Sequence, residues 1–426
     1  MDNTSAQVQT RGGRRDFLKT SVVGLSAVAA LLPRRAFSAP EPIRIGMQMD
    51  MTGDLGDFGS QWISRSAQAA SERINQGGGI GGREIKLLLE DTESKPQTGV
   101  RKMRKLIESD EVYFVIGSHH SVVNLASNPV AEELKTVYFP NGTATATTGA
   151  KGNPYVFRVL PSITHEVNSV VSWPIANLGR RWTLLGLDYA WGQDHVTRWS
   201  KTVETLGAKV VDRIMVPLGT DNMVPYLSRI KVEETEVLFH AFFQHSALNF
   251  LKQGQELGLL NKLKFFGVYD SIEGIDPKPF EGSYFYTPMV HRLDEAPPDL
   301  RPYQSRLYRA VGYRDDGWDT RANRIGGTGH IYVGWEHVYW IKYGIEKSGW
   351  RSKKDNADFI AALEGAKVKA SDEFPQGDKF IREADHQVFM GLFIQQVRNG
   401  KYVTITRMAP EKGLYPPEGD LRIKRS

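Results

Sequence analysis

Twice along this chain, short apolar runs alternate with amphipathic segments of helical period, and that repetition restricts the fold more than any other feature. In the first series "IRIGMQMD" reads as a strand from residue 43, and residues 61–75 read as a helix ending at the glycines of 77–82. "REIKLLLED" is a second strand, a helix follows over 97–108, and "VYFVIG" is a third strand. A helix from Ser121 and a strand "TVYFP" complete the series. After about residue 161 the pattern starts again, with strands "RWTLLGLD", "AKVVDRIMVP", "TEVLFHAF" and "KLKFFGVYD". Helices are expected between them near 164–178, 192–205, 222–231 and 245–258. Such alternation predicts an α/β chain of two similar lobes, each a mostly parallel sheet flanked by helices. Open sheets of this kind bind ligands beyond their strand carboxyl ends, so a shared crevice between the lobes is expected. Residues 290–328, polar with prolines and aromatics, read as an extended excursion, and 330–347 return to helical period.

The first 39 residues stand apart. "GRRDFLKTSVVGLSAVAALLPRRAFSAP" pairs Arg14 with Arg15 ahead of an apolar run and a small-residue site, resembling a twin-arginine export signal with cleavage near Ser38 or Ala39. The run from Val22 to Leu32 is too short to span a bilayer. Residues 1–39 carry six Lys/Arg and two acids of the chain's 54 and 49, so residues 40–426 hold 48 basic and 47 acidic side chains, a net of +1. Without the leader's charge, the composition gives little support to nucleic-acid binding. Cysteine is absent, which excludes disulfides and thiolate chemistry. A periplasmic protein that is not membrane-embedded is expected.

Motifs of catalysis fare poorly. Gly77-x-Gly79-x-x-Gly82 satisfies a dinucleotide pattern, but it follows a helix and precedes a strand, the reverse of what phosphate cradling requires. Ser228-x-x-Lys231 has no partner motif. His119 and His120 could ligate a metal, yet zinc needs three or four convergent donors, and no companion group announces itself in the sequence. His240 and His245 lie five apart, poor spacing for one helix face. No enzyme, cofactor or metal site is expected.

The stretch "GSHHSVV" is read instead as an anion seat. A helix beginning at Ser121 leaves unpaired backbone N–H groups and a positive dipole end in the crevice. The Ser121 hydroxyl is either a simple helix cap or, with those amides, a carboxylate receptor. The next strand ends at Pro140-Asn141-Gly142-Thr143, which offers a second hydroxyl nearby.

At this point "MDMTGDLGDFGSQ", "NQGGGIGGREIKLLLEDTESKPQTGVRKMRKLI", "VIGSHHS", "FPNGTA", "YVFRVLPS", "LDYAWGQD" and "IREADHQ" resemble, in order and spacing, the periplasmic type I solute-binding proteins, specifically the leucine–isoleucine–valine-binding branch. The resemblance spans residues 43–408. It implies discontinuous lobes joined by a hinge: 41–161 with 289–384, and 162–288 with 385–410, followed by a tail at 411–426. It also implies a ligand carboxylate held by Ser121 and Thr143, with the backbone at His119 and Asn141 assisting. Phe58 would face the ligand from the first lobe, and Tyr189, Trp191 and Phe243 from the second. Tyr269 or Asp270 matches the position of an acid that pairs with the ligand's ammonium. Family members that bind aliphatic amino acids place a glutamate there. Its replacement, with two histidines at 119 and 120, puts the ligand's amino group in question.

The implied function is capture of a small carboxylate, foremost an amino acid, for an inner-membrane ABC permease. The runner-up ligand is an aromatic or 2-oxo acid lacking an amino group. A sensory module serving a receptor is the second functional class.

Overall fold

The computed structural model describes residues 40–56 and 58–423; the expected export segment lies outside them. Two sheets dominate. The first has four parallel strands in the order Ile85–Asp91, Ile43–Met49, Phe114–Gly117, Val137–Phe139. Ile43–Met49, Phe114–Gly117 and Val137–Phe139 are almost wholly apolar and buried, whereas the edge strand Ile85–Asp91 keeps polar residues for solvent. The second has seven strands. Lys209–Val216, Arg181–Leu187, Val237–Ala241, Lys264–Val268 and Tyr284–Thr287 run parallel, and Leu392–Arg398 and Lys401–Met408 add antiparallel beyond them. These are the cores of the two lobes of a hinged fold.

In each sheet the strand order reverses direction once among the parallel strands. In the first lobe the reversal lies between Ile43–Met49 and Phe114–Gly117, in the second between Arg181–Leu187 and Val237–Ala241. The loops leaving those four strands cannot be covered by crossover helices, so they are where a ligand crevice forms.

The chain passes between the sheets close to a small antiparallel sheet of Lys367–Val368, Lys379–Arg382 and Gln387–Met390. Single bridges join Tyr138 to Val156 and Arg158 to Gln387. The fully buried Arg158 guanidinium donates to Gln387 Oε1 at 2.6 Å and to Thr148 Oγ1 at 2.8 Å, so a charge in the crossing region is tied on several sides. Helix Ser60–Gln76 turns Trp62, Ile63, Ala67, Ala70 and Ile74 inward against helix Thr328–Ser348, itself buried along most of its length.

Several expected elements change in extent. The helix read over 222–231 shrinks to Val224–Leu227, and that read over 164–178 breaks into Ile163–Val170 and Ser172–Asn177, where Pro174 removes an amide donor. The excursion at 290–328 contains a true helix, Arg301–Val311. Pro302 pre-sets its first turn and Gly312 stops it in a left-handed conformation (φ 82°). Leu307, Tyr308 and Val311 on its buried face were the missed signal. The glycines of 77–82 form a helix stop and a turn closed by an Ile80–Arg83 bridge.

Candidate functional site

The first lobe's reversal point is organised by Asp50, which the sequence alone did not single out. It follows the strand Ile43–Met49 and is fully buried. Its carboxylate accepts from the backbone N–H of His119 (2.7 Å) and of His120 (2.9 Å), and from the hydroxyls of Ser118 and Thr92. This corrects the expected role of the backbone at 119 and 141. The His119 amide serves the protein's own anion, and the Asn141 amide donates to the Ser118 carbonyl at 3.0 Å. Two peptide donors ahead of the helix and one in the loop at 141–143 are therefore already committed.

What remains for a ligand lies one step further along. Helix Ser121–Glu133 begins at Ser121, with His120 in extended conformation as its N-cap and no side-chain cap. The loop at 141–143 presses onto that first turn. A Cβ built on Gly142 would stand 3.0 Å from Ser121 Oγ, so only glycine allows the loop this close. Thr143 is the next residue after that contact, and both it and Ser121 are buried. The Thr143 hydroxyl accepts from Trp191 Nε1–H of the second lobe at 3.1 Å, a direct bond across the cleft.

Trp191 opens helix Ala190–Thr205, with Tyr189 as its N-cap, and Phe243 is the N-cap of helix Gln244–Glu256. Both helices leave the second lobe's reversal point. With the Ser121 helix, three helix N-termini carry these residues, and their partial positive charge favours an anion among them. The aromatic rings meet between the lobes. Phe58 stacks on Phe243 with centroids 5.5 Å apart, Trp191 and Tyr189 approach Phe243 edge-on at 5.8 and 6.1 Å, and His120 lies 5.6 Å from Tyr189. At one margin a cavity of about 130 Å³ is lined by Phe58, Trp62, Gln244, Glu273 and Arg324.

Asp270 and Tyr269 form a short turn after the strand Lys264–Val268, both buried. Asp270 Oδ1 faces two imidazoles, His119 Nε2 at 3.8 Å and His330 Nε2 at 3.6 Å. Burial pushes the Asp270 carboxyl up to about 7, with Glu273 adding to the rise and His330 opposing it. On the other side of His330, its Nδ1 pairs with the Glu273 carboxylate, which also receives the Gly329 amide. Burial would lower His330, but Glu273 and Asp270 outweigh it and raise it; burial, with His330 and His120 adding to it, drives His119 well below the usual range. The companions that the pair at 119–120 lacked in sequence are thus supplied by residues some 150 and 210 positions away.

A second buried group lies below Trp191. His195 packs edge-on at 4.5 Å from the Trp191 ring, and its Nε2 is 3.9 Å from Glu166 Oε2. Burial raises Glu166 well above the usual carboxylate range and lowers His195 to about 3, so each is pushed toward its neutral form. Among the described residues, Glu166 Oε1 and both His195 nitrogens have no hydrogen-bond partner. A lone glutamate and histidine on two different helices carry no signal in a sequence.

A periplasmic binding protein family model matches residues 42–401. The "Leu/Ile/Val-binding protein homolog 4" of Brucella abortus (strain 2308) is 24% identical over 412 residues, covering 92% of each chain. A solute-binding protein of an ABC transporter from Rhodopseudomonas palustris BisB5, solved in complex with 3,4-dihydroxybenzoic acid, superimposes with a TM-score of 0.73 at 20% identity, covering 87% of this chain and 98% of that one. Leucine-binding protein LivK from Thermotoga maritima MSB8 gives 0.70 at 18%, covering 87% and 99%. No helix among the described residues is long and apolar enough to cross a membrane. Two lobes, reversal points facing one cleft, and a family match over most of the chain converge: the protein belongs to the periplasmic binding protein family.

Proposed function

We propose that the protein captures a small aromatic carboxylate in the periplasm, after twin-arginine export, and delivers it to an inner-membrane ABC permease. One observation carries the choice of ligand. Asp270, at the position that would meet an amino acid's ammonium, is turned toward two imidazoles, and burial pushes its carboxyl up to about 7. An ammonium would have to compete with His119 and His330 for it. In this reading the carboxylate is held by Ser121, Thr143 and the first amides of the Ser121 helix, and a flat ring slides between Phe58, Phe243 and Trp191. The solved relative holding a dihydroxybenzoic acid supports that class, and the structures of R. palustris proteins with benzoate and 4-hydroxybenzoate agree with it.

The energetics suffice. Micromolar affinity corresponds to about 8 kcal/mol. Three charge-assisted hydrogen bonds contribute roughly 1.5–3 kcal/mol each, and burying a ring against three aromatic side chains adds to this while offsetting the cost of ordering.

A second reading, an amino acid ligand, draws on Glu166. Its unpartnered Oε1 could ionise beside an ammonium if the ligand reached below Trp191. Calorimetry against benzoate, 4-hydroxybenzoate, a 2-oxo acid, leucine and phenylalanine separates the two. Binding of a benzoate with the amino acids silent is expected. Tighter binding of leucine or phenylalanine than of any benzoate overturns the aromatic-acid reading.

A further inference from the structure

His119, Asp270 and His330 are brought together by three separate segments, and their donor atoms all lie within 4.8 Å of one another. We propose that these three side chains form a binding site for a divalent transition cation of the zinc type, and that the ion fastens the two lobes in the closed arrangement. The proposal does not rest on the identity of the solute.

The spacing argues for an ion in preference to direct pairing. At 3.6 and 3.8 Å, the Asp270 oxygen is too far from the two Nε2 atoms for hydrogen bonds. It is close to the separation of two ligands on one ion, since bonds of about 2.1 Å at a tetrahedral angle place neighbouring donors roughly 3.4 Å apart. Those two separations need to shrink by only a few tenths of an ångström to reach it. His330 is 1% exposed, and among the described residues its Nε2 has no hydrogen-bond partner although it points into this cluster.

The surroundings also suit a metal ligand. The opposite nitrogen of His330 is bonded to Glu273, the carboxylate–histidine arrangement that fixes an imidazole's tautomer and aims its free lone pair. His119 lies close against the bare backbone of Gly59, where a Cβ would stand 2.7 Å from the imidazole Cδ2. Two imidazoles and one carboxylate match zinc and its neighbours; calcium and magnesium prefer all-oxygen shells. Three protein donors leave a fourth position for water or for an oxygen of the solute. His119 belongs to the first lobe, and His330 begins the helix that packs on that lobe's Ser60–Gln76, whereas Asp270 leaves the second sheet. Two ligands are therefore preassembled, and the third arrives on closure.

The test uses tag-free full-length protein stripped with a chelator and no solute. Zinc is titrated by calorimetry and cobalt by visible absorption. One equivalent should bind, with the intense bands of four-coordinate cobalt displaced by zinc, and small-angle scattering should show compaction. His119→Ala and His330→Ala should each weaken zinc by at least about 100-fold. Asp270→Asn should keep weaker binding but lose the compaction. Glu273→Gln, whose side chain is never a ligand, should cost about 10- to 100-fold. Absence of one-to-one binding by the wild-type protein overturns the proposal, as does affinity unchanged in both histidine variants. Because no solute is present, failure here leaves the aromatic-acid reading standing, and failure of that reading leaves the metal titration unaffected.

Discussion

Thr143→Val isolates the bond that joins the lobes from the packing around it. Valine matches threonine in shape, so no cavity opens, and the effect reduces to a lost hydroxyl. In the closed form that hydroxyl accepts from Trp191 Nε1 at 3.1 Å, with the tryptophan only 5% exposed. Stripping the acceptor leaves a buried indole N–H unpaired, which costs about 1–3 kcal/mol. In the proposed complex the same hydroxyl donates to a ligand carboxylate, worth about 1.5–3 kcal/mol more. The sum, about 2.5–6 kcal/mol, predicts an affinity loss of roughly 70-fold to about 20,000-fold. In the open form the indole turns to water, so the unliganded Tm should stay within a few degrees. Calorimetry with the strongest ligand of the panel reads the loss. Trp191→Phe removes the orphaned donor, so the double variant should bind better than the two single losses predict, by about 1 kcal/mol or more. Affinity within twofold of wild type for Thr143→Val, or strict additivity in the double variant, would refute the cross-cleft bond.

Asp50→Ala abandons two backbone donors and two hydroxyls in a buried site, so Tm should fall by well over 5 °C at about 3–6 kcal/mol, whereas Asp50→Asn, which keeps one acceptor for the two amides, should fall much less. Equal losses by thermal melt would contradict that account. Gly142→Ala forces a methyl onto Ser121 and Asn124 and should displace Thr143, weakening ligand binding at least tenfold at about 1–3 kcal/mol of strain; a crystal structure with the 141–143 loop unmoved would count against it. Acid should destabilise the fold as pH falls from about 6.5 toward 4. Seven buried histidines (119, 120, 165, 195, 240, 291, 337) are held below their unfolded value, four of them at about 3 or 4, so the unfolded chain takes up protons that the native one refuses. Three buried carboxyls, Glu166, Asp270 and Glu336, and the imidazole of His330 are raised and act oppositely, so they offset part of the histidines' effect. A Tm constant between pH 6.5 and 4.5 in differential scanning calorimetry would show that these histidines are not buried in neutral form.

What could be read from the sequence was local, and what could not be read was long-range. The strand–helix alternation sufficed to place Ser121, Thr143, Trp191 and Phe243 beyond strand carboxyl ends, because a parallel sheet must turn its connections there. A helix N-terminus, however, declares only that it accepts an anion, and says nothing of which one. Part of the demand just ahead of Ser121 is met by Asp50, nearly 70 residues earlier, an assignment that depends on two strands lying side by side. The same blindness hid His330 and Glu273. Each sits in an unremarkable stretch, at a helix start and after a strand, and they acquire meaning only when the lobes close on His119. That asymmetry bears on specificity. In the proposed complex the carboxylate seat lies within the first lobe, where Gly142 packs on Ser121, while the polar group facing the far end of the solute is assembled across the cleft from Asp270, His119 and His330. A change in the first would remove binding of any acid. A change in the second would alter which acid is kept, because it acts only on the solute that the lobes have already closed around.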